Sequence, residues 1–484
     1  MRCIILAFIA CALATSADRT FSTDRTDPAA AGMNSEMLSR IHTRMQEFVD
    51  SGKTAGVVTL AARHGIVAWL DAAGFQDLER KIPMHTGTIF HVMSITKPVT
   101  CAGIMALVDD GRLSLLDPVE KFVPEFKSIK VNPCGNRGGH NCELVPPLRP
   151  MNVLDLMTHM SGLGDGGGRG GPTAQPASRT EMVASIASRA TLLFQPGSAW
   201  NYSNFGISVL GQIIAVGSGE PYERFMAEKV FAPLGMKDSF FEVPPDKADR
   251  VATIYTTEDG KLKPLTRGAR FGTAIPSPDS GLLTTASDLA RFDQMMLNKG
   301  VLNGRRVLSA AAVEAMTVSY TEDMLAGYAA GVGQGFGFEV VAKPLGMYRY
   351  TSIGSFEKAG VYRTYIWVDS AKESDGRDPH AAQQRRGCRR PGRRSKRIHG
   401  DGRRSHRTLI GSQAESGVSA PSSAEIVHAA LRTRVASHFS SQARNSELDM
   451  DVLIAPTTAP EQSISGLPRQ HAPSRHSLKS SAYP

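Results

Sequence analysis

The order of strand-like and helical segments is the feature that most constrains how this chain folds. Apolar strand-like runs occur at 57–62 and 66–70, and they return only much later, at 336–342, 348–353 and 361–368. The interval between them carries apolar residues at helical spacing. A hairpin, a long helical middle and closing strands predict an α+β fold. In this fold the N- and C-terminal segments build one central antiparallel sheet, and an all-helical region is inserted between them.

Helices are expected throughout the middle of the chain. Asn34 is suited to cap the first of them, and Gly111 marks the end of the second. The segments with helical spacing are 34–49, 94–110, 152–160, 180–190, 204–217, 221–232, 286–298 and 309–317.

The first 17 residues, MRCIILAFIACALATSA, have the pattern of a secretory signal peptide. Arg2 precedes a short apolar run, and small residues suited to cleavage follow at Ala14 and Ala17. The run is too short to span a bilayer, and no second such run follows, so no transmembrane span is expected. We therefore expect a secreted or periplasmic protein. Lipid attachment at Cys11 is the weaker alternative.

Two further cysteines bear on the compartment. Cys134 and Cys142 bracket a Gly/Asn-rich loop and are candidates for a small disulfide in an oxidising environment. The chain has no CxxC pair and no HExxH motif, so we predict no metal site.

The positive charge of the chain is concentrated in one segment. The formal net charge is +9, yet residues 385–407 contain ten arginines and one lysine against a single aspartate. The rest of the chain is therefore close to neutral, and no nucleic-acid partner is expected for a secreted protein of this kind.

The character of the sequence changes after about residue 369. Arg, Gly, Pro, Ser and Gln replace the periodic apolar pattern, which predicts a mostly disordered, Arg-rich tail over 372–484. The abrupt change suggests a frameshift or a gene fusion. It would leave the strand at 361–368 as an unpaired apolar edge.

Ser94 and Lys97 are the first candidates for catalysis. They are three residues apart at a helix start, so both side chains lie on one helical face. A serine hydroxyl needs a neighbouring base to become a nucleophile, and a lysine is such a base only when burial or a second cation disfavours its charged form. The helix N-terminus also favours developing negative charge.

Tyr202 and Asn204, in the segment NYSNFG, form the second candidate cluster. A phenol beside a lysine is expected to be partly ionised and to shuttle a proton between Ser94 and a leaving group. The amide of Asn204 is expected to fix Lys97 and a substrate carbonyl.

Lys358 and Gly360 form the third cluster, directly before the strand that begins at Val361. A cation here is expected to recognise a substrate carboxylate or to lower the pKa of Tyr202. Gly360 would let a substrate lie close against the strand edge. The Val361 N–H, together with the Ser94 N–H, would form an oxyanion hole.

The three clusters together, SxxK, YxN and KxG, are about 108 and then 156 residues apart and resemble the penicillin-recognising serine hydrolases. The class C β-lactamase and family VIII carboxylesterase branch is the more similar one. DLMTHMSGL (155–163) and GLLTTASDLARF (281–292) are also similar to segments of this branch, and the resemblance covers roughly residues 30–371. It implies a β-lactamase/transpeptidase-like fold. It also implies a covalent acyl-enzyme formed on Ser94, with Lys97 and Tyr202 exchanging the proton and with no metal or cofactor.

The resemblance leaves the substrate open between a small ester and a β-lactam. Family VIII esterases often carry Trp or His where this chain has Lys358, while β-lactamases and D,D-peptidases carry Lys-Thr-Gly. Here Ala359 removes the hydroxyl of that threonine. We therefore expect an esterase or transesterase acting on small acyl substrates. The alternatives are a β-lactamase or D,D-peptidase, and a truncated, catalytically impaired member of the family.

Overall fold

The structure is a computed structural model. It describes residues 20–135, 142–165, 177–265, 275–321 and 329–370, together with residues 324 and 326. The predicted signal peptide at 1–17, Cys11 and the tail at 372–484 lie outside the described residues. So does the chain from residue 371 onward, and these expectations remain predictions.

The described residues contain short and long helices in the order expected from the sequence. These are α1 (Ser35–Asp50), α2 (Thr96–Asp109), α3 (Val153–Met157), α4 (Arg179–Arg189), α5 (Asn204–Ser218), α6 (Tyr222–Met226), α7 (Ala232–Leu234), α8 (Ala286–Leu297) and α9 (Ala310–Met316). Helix α1 begins as predicted, with the Asn34 side chain accepting a hydrogen bond from the Met37 N–H. A π-helical turn, Ala227–Phe231, joins α6 to α7.

The strands of the described residues are mostly short. They are β1 (Gly56–Arg63), β2 (Ile66–Asp77), β3 (Ile82–Pro83), β4 (Phe90–His91), β5 (Lys130–Val131), β6 (Thr191–Leu192), β7 (Tyr255–Glu258), β8 (Lys261–Pro264), β9 (Leu283–Thr284), β10 (Val301–Leu302), β11 (Arg305–Arg306), β12 (Val332–Gln334), β13 (Glu339–Val341), β14 (Phe356–Ala359) and β15 (Tyr365–Val368).

The N-terminal hairpin β1–β2 is built as the sequence predicts. His64 and Gly65 connect its strands, and both have positive φ angles of 52° and 70°, as a two-residue hairpin turn requires. Strand β1 is buried on both faces. Val57 and Ala61 pack with helix α1, while the alternate residues, such as Leu60, point into the main core.

Strands β12, β13, β14 and β15 form an antiparallel four-stranded group in chain order. Among the described residues, backbone pairing does not join this group to β1–β2–β3, but side-chain packing does. Trp367 of β15 lies in the same hydrophobic cluster as Val57 and Trp69 of the hairpin. The predicted α+β architecture, with strands from both ends and helices between them, is confirmed.

The prediction of a strand at 348–353 is wrong. Tyr348 ends a short 3₁₀ turn, and its hydroxyl donates to Glu357, so the segment is a loop between β13 and β14. The strand of this region is β14, whose sequence FEKA carries two charged residues that apolar patterning passes over. Lys358 therefore lies within a strand, and residues 361–364 form part of the turn to β15.

Helices α2 and α5 pack against each other at the centre of the helical region. Nearly every residue of α2 is buried, which is the pattern of a helix enclosed on all sides. Gly111 has a φ of 68° just beyond the end of α2 and terminates it as predicted. The starts of the two helices lie close together, as the hydrogen bond between Tyr202 and Ser94 shows.

Two further observations concern the expected compartment. Cys134 and Cys142 are joined in a disulfide, as their spacing suggested. Among the described helices, none has the length and apolar character needed to cross a membrane.

Candidate active site

Ser94 lies at the bend that introduces helix α2. It sits in a 3₁₀ turn, Met93–Ile95, and Met93 has a φ of 50°, which is a strained conformation for a residue with a side chain. Thr96 holds the turn, because its hydroxyl donates to the Met93 carbonyl and accepts from the Leu282 N–H. The Ser94 hydroxyl is thereby presented at the start of the buried helix.

Lys97 is fully buried one turn further along. Its Nζ is 3.0 Å from Ser94 Oγ and donates to the carbonyl of Asp279 at 2.9 Å. Burial, together with the charge of Lys358, lowers the pKa of Lys97 to about 7, and this is the net value after the opposing effects of Asp279 and Asp165. A substantial fraction of Lys97 is therefore neutral near pH 7 and able to accept a proton.

Tyr202 reaches Ser94 from the start of helix α5. Its hydroxyl donates to Ser94 Oγ at 2.9 Å. The Nζ atoms of Lys97 and Lys358 lie 4.8 and 5.1 Å from the centre of its ring. Burial nevertheless raises the pKa of Tyr202 above its ordinary value. The expectation of a partly ionised phenol is therefore wrong, because desolvation and nearby carboxylates outweigh the hydrogen bond with Ser94. At neutral pH the group is a proton donor.

His159 holds the Tyr202 segment in place. Its ring lies 4.7 Å from the Tyr202 ring, its Nδ1 accepts from the Ser203 N–H, and its carbonyl accepts from the Asn201 N–H. Burial lowers the pKa of His159 well below its ordinary value, and the two neighbouring lysines add to this effect. The imidazole is therefore neutral, with the proton on Nε2, and it acts as a structural support for Tyr202.

Among the described residues, Asn204 does not form the predicted hydrogen bond with Lys97. Its Nδ2 donates to a carboxylate oxygen of Asp165 at 2.6 Å, and its backbone N–H donates to the other oxygen of the same carboxylate. The negative charge of Asp165 is favoured there by the N-terminus of α5. Among the described contacts, the second acceptor for Lys97 Nζ is the Asp279 carbonyl instead.

Lys358 is buried, and its Nζ forms an ion pair with Glu339 Oε1 at 3.3 Å. The expectation that this ammonium recognises a substrate carboxylate therefore needs correction, since a carboxylate of the protein itself already holds it. The two residues lie on β13 and β14, which are hydrogen-bonded neighbours in the sheet.

Gly360 follows β14 and packs against the segment that leads to Ser94. A Cβ at this position would lie 2.3 Å from both the Val92 carbonyl oxygen and Thr364 Oγ1. Thr364 Oγ1 in turn donates to that carbonyl at 2.9 Å. The glycine therefore lets two backbone segments meet, rather than leaving room for a substrate as we expected. Val361, next to it, is 47% exposed.

The structure thus brings together Ser94, Lys97, Tyr202 and Lys358, and it places Gly360 beside the nucleophile segment. Sequence reasoning missed Asp165, Asp279 and Glu339, which lie in none of the three motifs. These three acids are recognised only in the structure, where they are the partners of Asn204, Lys97 and Lys358. In the described part of the chain, no group of three or more His, Cys, Asp or Glu side chains is arranged to hold a metal ion.

Known proteins share both the sequence pattern and the architecture. A family model described as Beta-lactamase matches residues 41–374. Protein Rv1367c of Mycobacterium tuberculosis is 32% identical over 348 residues, which cover 68% of this chain and 86% of that protein. Esterase EstB of Burkholderia gladioli is 28% identical over 71% of this chain and 91% of its own length. The structure of EstCE1, a hydrolase with promiscuous acyltransferase activity, matches with a TM-score of 0.59 and 25% identity, covering 70% of this chain and 92% of its own.

Proposed function

The chain belongs to the Beta-lactamase family and is a serine hydrolase, and we propose that it hydrolyses small esters through a covalent acyl-enzyme on Ser94. The convergence of Lys97 Nζ and the Tyr202 hydroxyl on Ser94 Oγ, at 3.0 and 2.9 Å, carries the proposal. Two relatives support an ester substrate, since one is named an esterase and the other a hydrolase with acyltransferase activity. The absence of a hydroxyl at Ala359 supports it as well.

In the acylation step, neutral Lys97 accepts the proton of Ser94 as Oγ attacks the ester carbonyl. The bond from Oγ to the acyl carbon forms, and the bond to the alcohol oxygen then breaks. The Tyr202 hydroxyl, which is protonated at neutral pH, is placed to donate to the departing alcohol oxygen. The N-terminus of α2 favours the negative charge that develops on the carbonyl oxygen, and the N–H groups of Ser94 and Val361 are proposed as its donors.

In the deacylation step, water or an alcohol attacks the acyl carbon. The proton of the attacking molecule passes to the phenolate of Tyr202 left by the first step, while the ammonium of Lys97 returns a proton to Ser94 Oγ. This regenerates the resting site, so no external acid or base is consumed.

Covalent labelling tests the proposed nucleophile. A fluorophosphonate probe should label the wild-type protein and should not label Ser94→Ala, with peptide mass spectrometry locating the adduct on Ser94. Ser198→Ala is a matched control, because Ser198 is an exposed serine of the segment that leads to Tyr202. A correctly folded wild-type protein that takes no label would instead support the catalytically impaired alternative.

The second candidate function is hydrolysis of a β-lactam or a D,D-peptide, which the lysine at position 358 favours. Release of p-nitrophenol from p-nitrophenyl acetate and opening of nitrocefin distinguish the two functions. We expect turnover of the ester and little turnover of nitrocefin. The reverse order would favour the β-lactamase alternative.

We also propose that the protein is exported and that its signal peptide is removed. The composition of residues 1–17 supports this, as does the disulfide between Cys134 and Cys142. Intact mass measurement of protein recovered from the secreted or periplasmic fraction should show cleavage after Ala14 or Ala17. Recovery of the uncleaved chain in the cytoplasm would contradict the proposal.

A further inference from the structure

The ion pair between Lys358 and Glu339 is enclosed within the protein. The side chains are 2% and 3% exposed, and Nζ lies 3.3 Å from Oε1. Glu339 of β13 stands opposite Glu357 of β14, the residue before Lys358, so the two members of the ion pair lie on adjacent strands. Two charges held in this way compensate each other, and neither can be removed without leaving the other uncompensated.

This ion pair lies next to the reacting atoms. Lys358 Nζ is 5.1 Å from the centre of the Tyr202 ring, and the hydroxyl of the same ring is 2.9 Å from Ser94 Oγ. A buried charge so near the nucleophile acts strongly on a charged group of any substrate that reacts at Ser94. Whether Lys358 acts as a cation or as half of a neutral pair therefore affects which acyl groups the site accepts.

We infer that Glu339 is a specificity-determining residue, which neutralises Lys358 and so makes the site select uncharged esters over esters that carry a carboxylate. The inference rests on the proposed function, since it names the substrate class of the same site. An anionic substrate finds no uncompensated cation at Lys358. It also meets the carboxylate of Asp165, which is bound at the start of α5 and is exposed.

A purely structural ion pair would give a different result. In that case removing either charge would change stability and would change turnover of all esters alike. A pair that sets selectivity changes the ratio between anionic and neutral substrates. This ratio is therefore the quantity to measure, because misfolding of a fraction of the protein lowers both activities equally and leaves the ratio unchanged.

The experiment compares p-nitrophenyl pentanoate with mono-p-nitrophenyl glutarate, whose acyl chain ends in a carboxylate. The full-length wild-type protein should prefer the neutral ester. In Glu339→Gln, the ratio of kcat/KM for the anionic ester to that for the neutral ester should rise by about tenfold, which corresponds to about 1.4 kcal/mol. The rise should come mainly from a lower KM for the anionic ester. In Lys358→Gln, the same ratio should fall.

Glu357→Gln is the matched control. Glu357 is also buried and stands opposite Glu339, but it accepts hydrogen bonds from the hydroxyls of Tyr348 and Tyr365. Its removal should leave the ratio within about twofold of the wild-type value. An equal rise in Glu357→Gln and Glu339→Gln would show that loss of any buried carboxylate has this effect, and would overturn the inference.

The double variant Glu339→Gln/Lys358→Gln keeps the test decisive if either single variant fails to fold, because replacing both members of a buried ion pair is better tolerated than replacing one. Its ratio should stay within about threefold of wild type. A fall of tenfold or more would show that Lys358 already acts as an uncompensated cation, and would overturn the inference. Absence of any Ser94-dependent turnover in the wild-type protein would instead refute the proposed function, and so the two failures are distinguishable.

Discussion

Lys97 should give the enzyme a pH dependence centred near neutrality. A lysine with the ordinary pKa of 10.5 is neutral in about one molecule in 3,000 at pH 7, whereas the pKa of about 7 caused by burial makes roughly half of the molecules competent. The neutral fraction then rises from about 0.03 at pH 5.5 to about 0.97 at pH 8.5. The value of kcat/KM should therefore increase about 30-fold over this range and then level off.

The assay is initial-rate hydrolysis of p-nitrophenyl acetate from pH 5.5 to 8.5, with Ser94→Ala as the blank for spontaneous hydrolysis. A variant sharpens the test. Lys358 is one of the groups that lower the pKa of Lys97, so Lys358→Gln should move the midpoint to higher pH. A flat profile, a midpoint above pH 9 or a shift to lower pH in Lys358→Gln would refute the assignment of Lys97 as the base.

Three further predictions concern residues outside the catalytic group. Asp293 is fully buried in α8, where neither carboxylate oxygen has a hydrogen-bond partner among the described residues, and burial raises its pKa well above the ordinary 3.8. The folded protein therefore holds a proton that the unfolded chain releases as pH rises above 3.8, so this group destabilises the fold increasingly with pH. Asp293→Ala should raise the free energy of unfolding at pH 7 by about 1–3 kcal/mol in urea titrations, and an unchanged or lower value would contradict this. Asp165→Ala should release the Asn204 amide and change KM for p-nitrophenyl acetate severalfold, while the fluorophosphonate probe still labels Ser94. Loss of this labelling would instead give Asp165 a role in forming the nucleophile. Gly360→Ala would place a Cβ 2.3 Å from the Val92 carbonyl oxygen, so it should lower the rate of Ser94 labelling at least about tenfold, and a wild-type rate would show that the turn is not coupled to the nucleophile.

The parts of the site that depend on local geometry were predictable from the sequence. The spacing of Ser94 and Lys97 places both side chains on one face of a helix. Gly111 ends that helix both in the prediction and in the structure. The fold class followed from the order of hairpin, helices and closing strands. These features depend on residues close in sequence or on the coarse pattern of the chain.

The predictions that failed concern features that depend on burial and on strand register. Desolvation decides the ionisation state of Tyr202, and the degree of desolvation cannot be read from a sequence motif. The partner of Lys358 is 19 residues away and is brought to it by the pairing of β13 with β14. Similarly, the segment 348–353, predicted as a strand, is a loop. The neighbouring β14 was not predicted, because two of its residues are charged. Long-range contacts of this kind become visible only in three dimensions.

The most direct test of the account is the mass of the protein during turnover of an ester. Acid quenching of the reaction with p-nitrophenyl pentanoate should trap a species heavier than the free protein by one pentanoyl group, and peptide mapping should locate that group on Ser94. The species should be absent in Ser94→Ala and should form far more slowly in Lys97→Met. An acyl group found on another residue, or trapped equally fast without Lys97, would contradict the account.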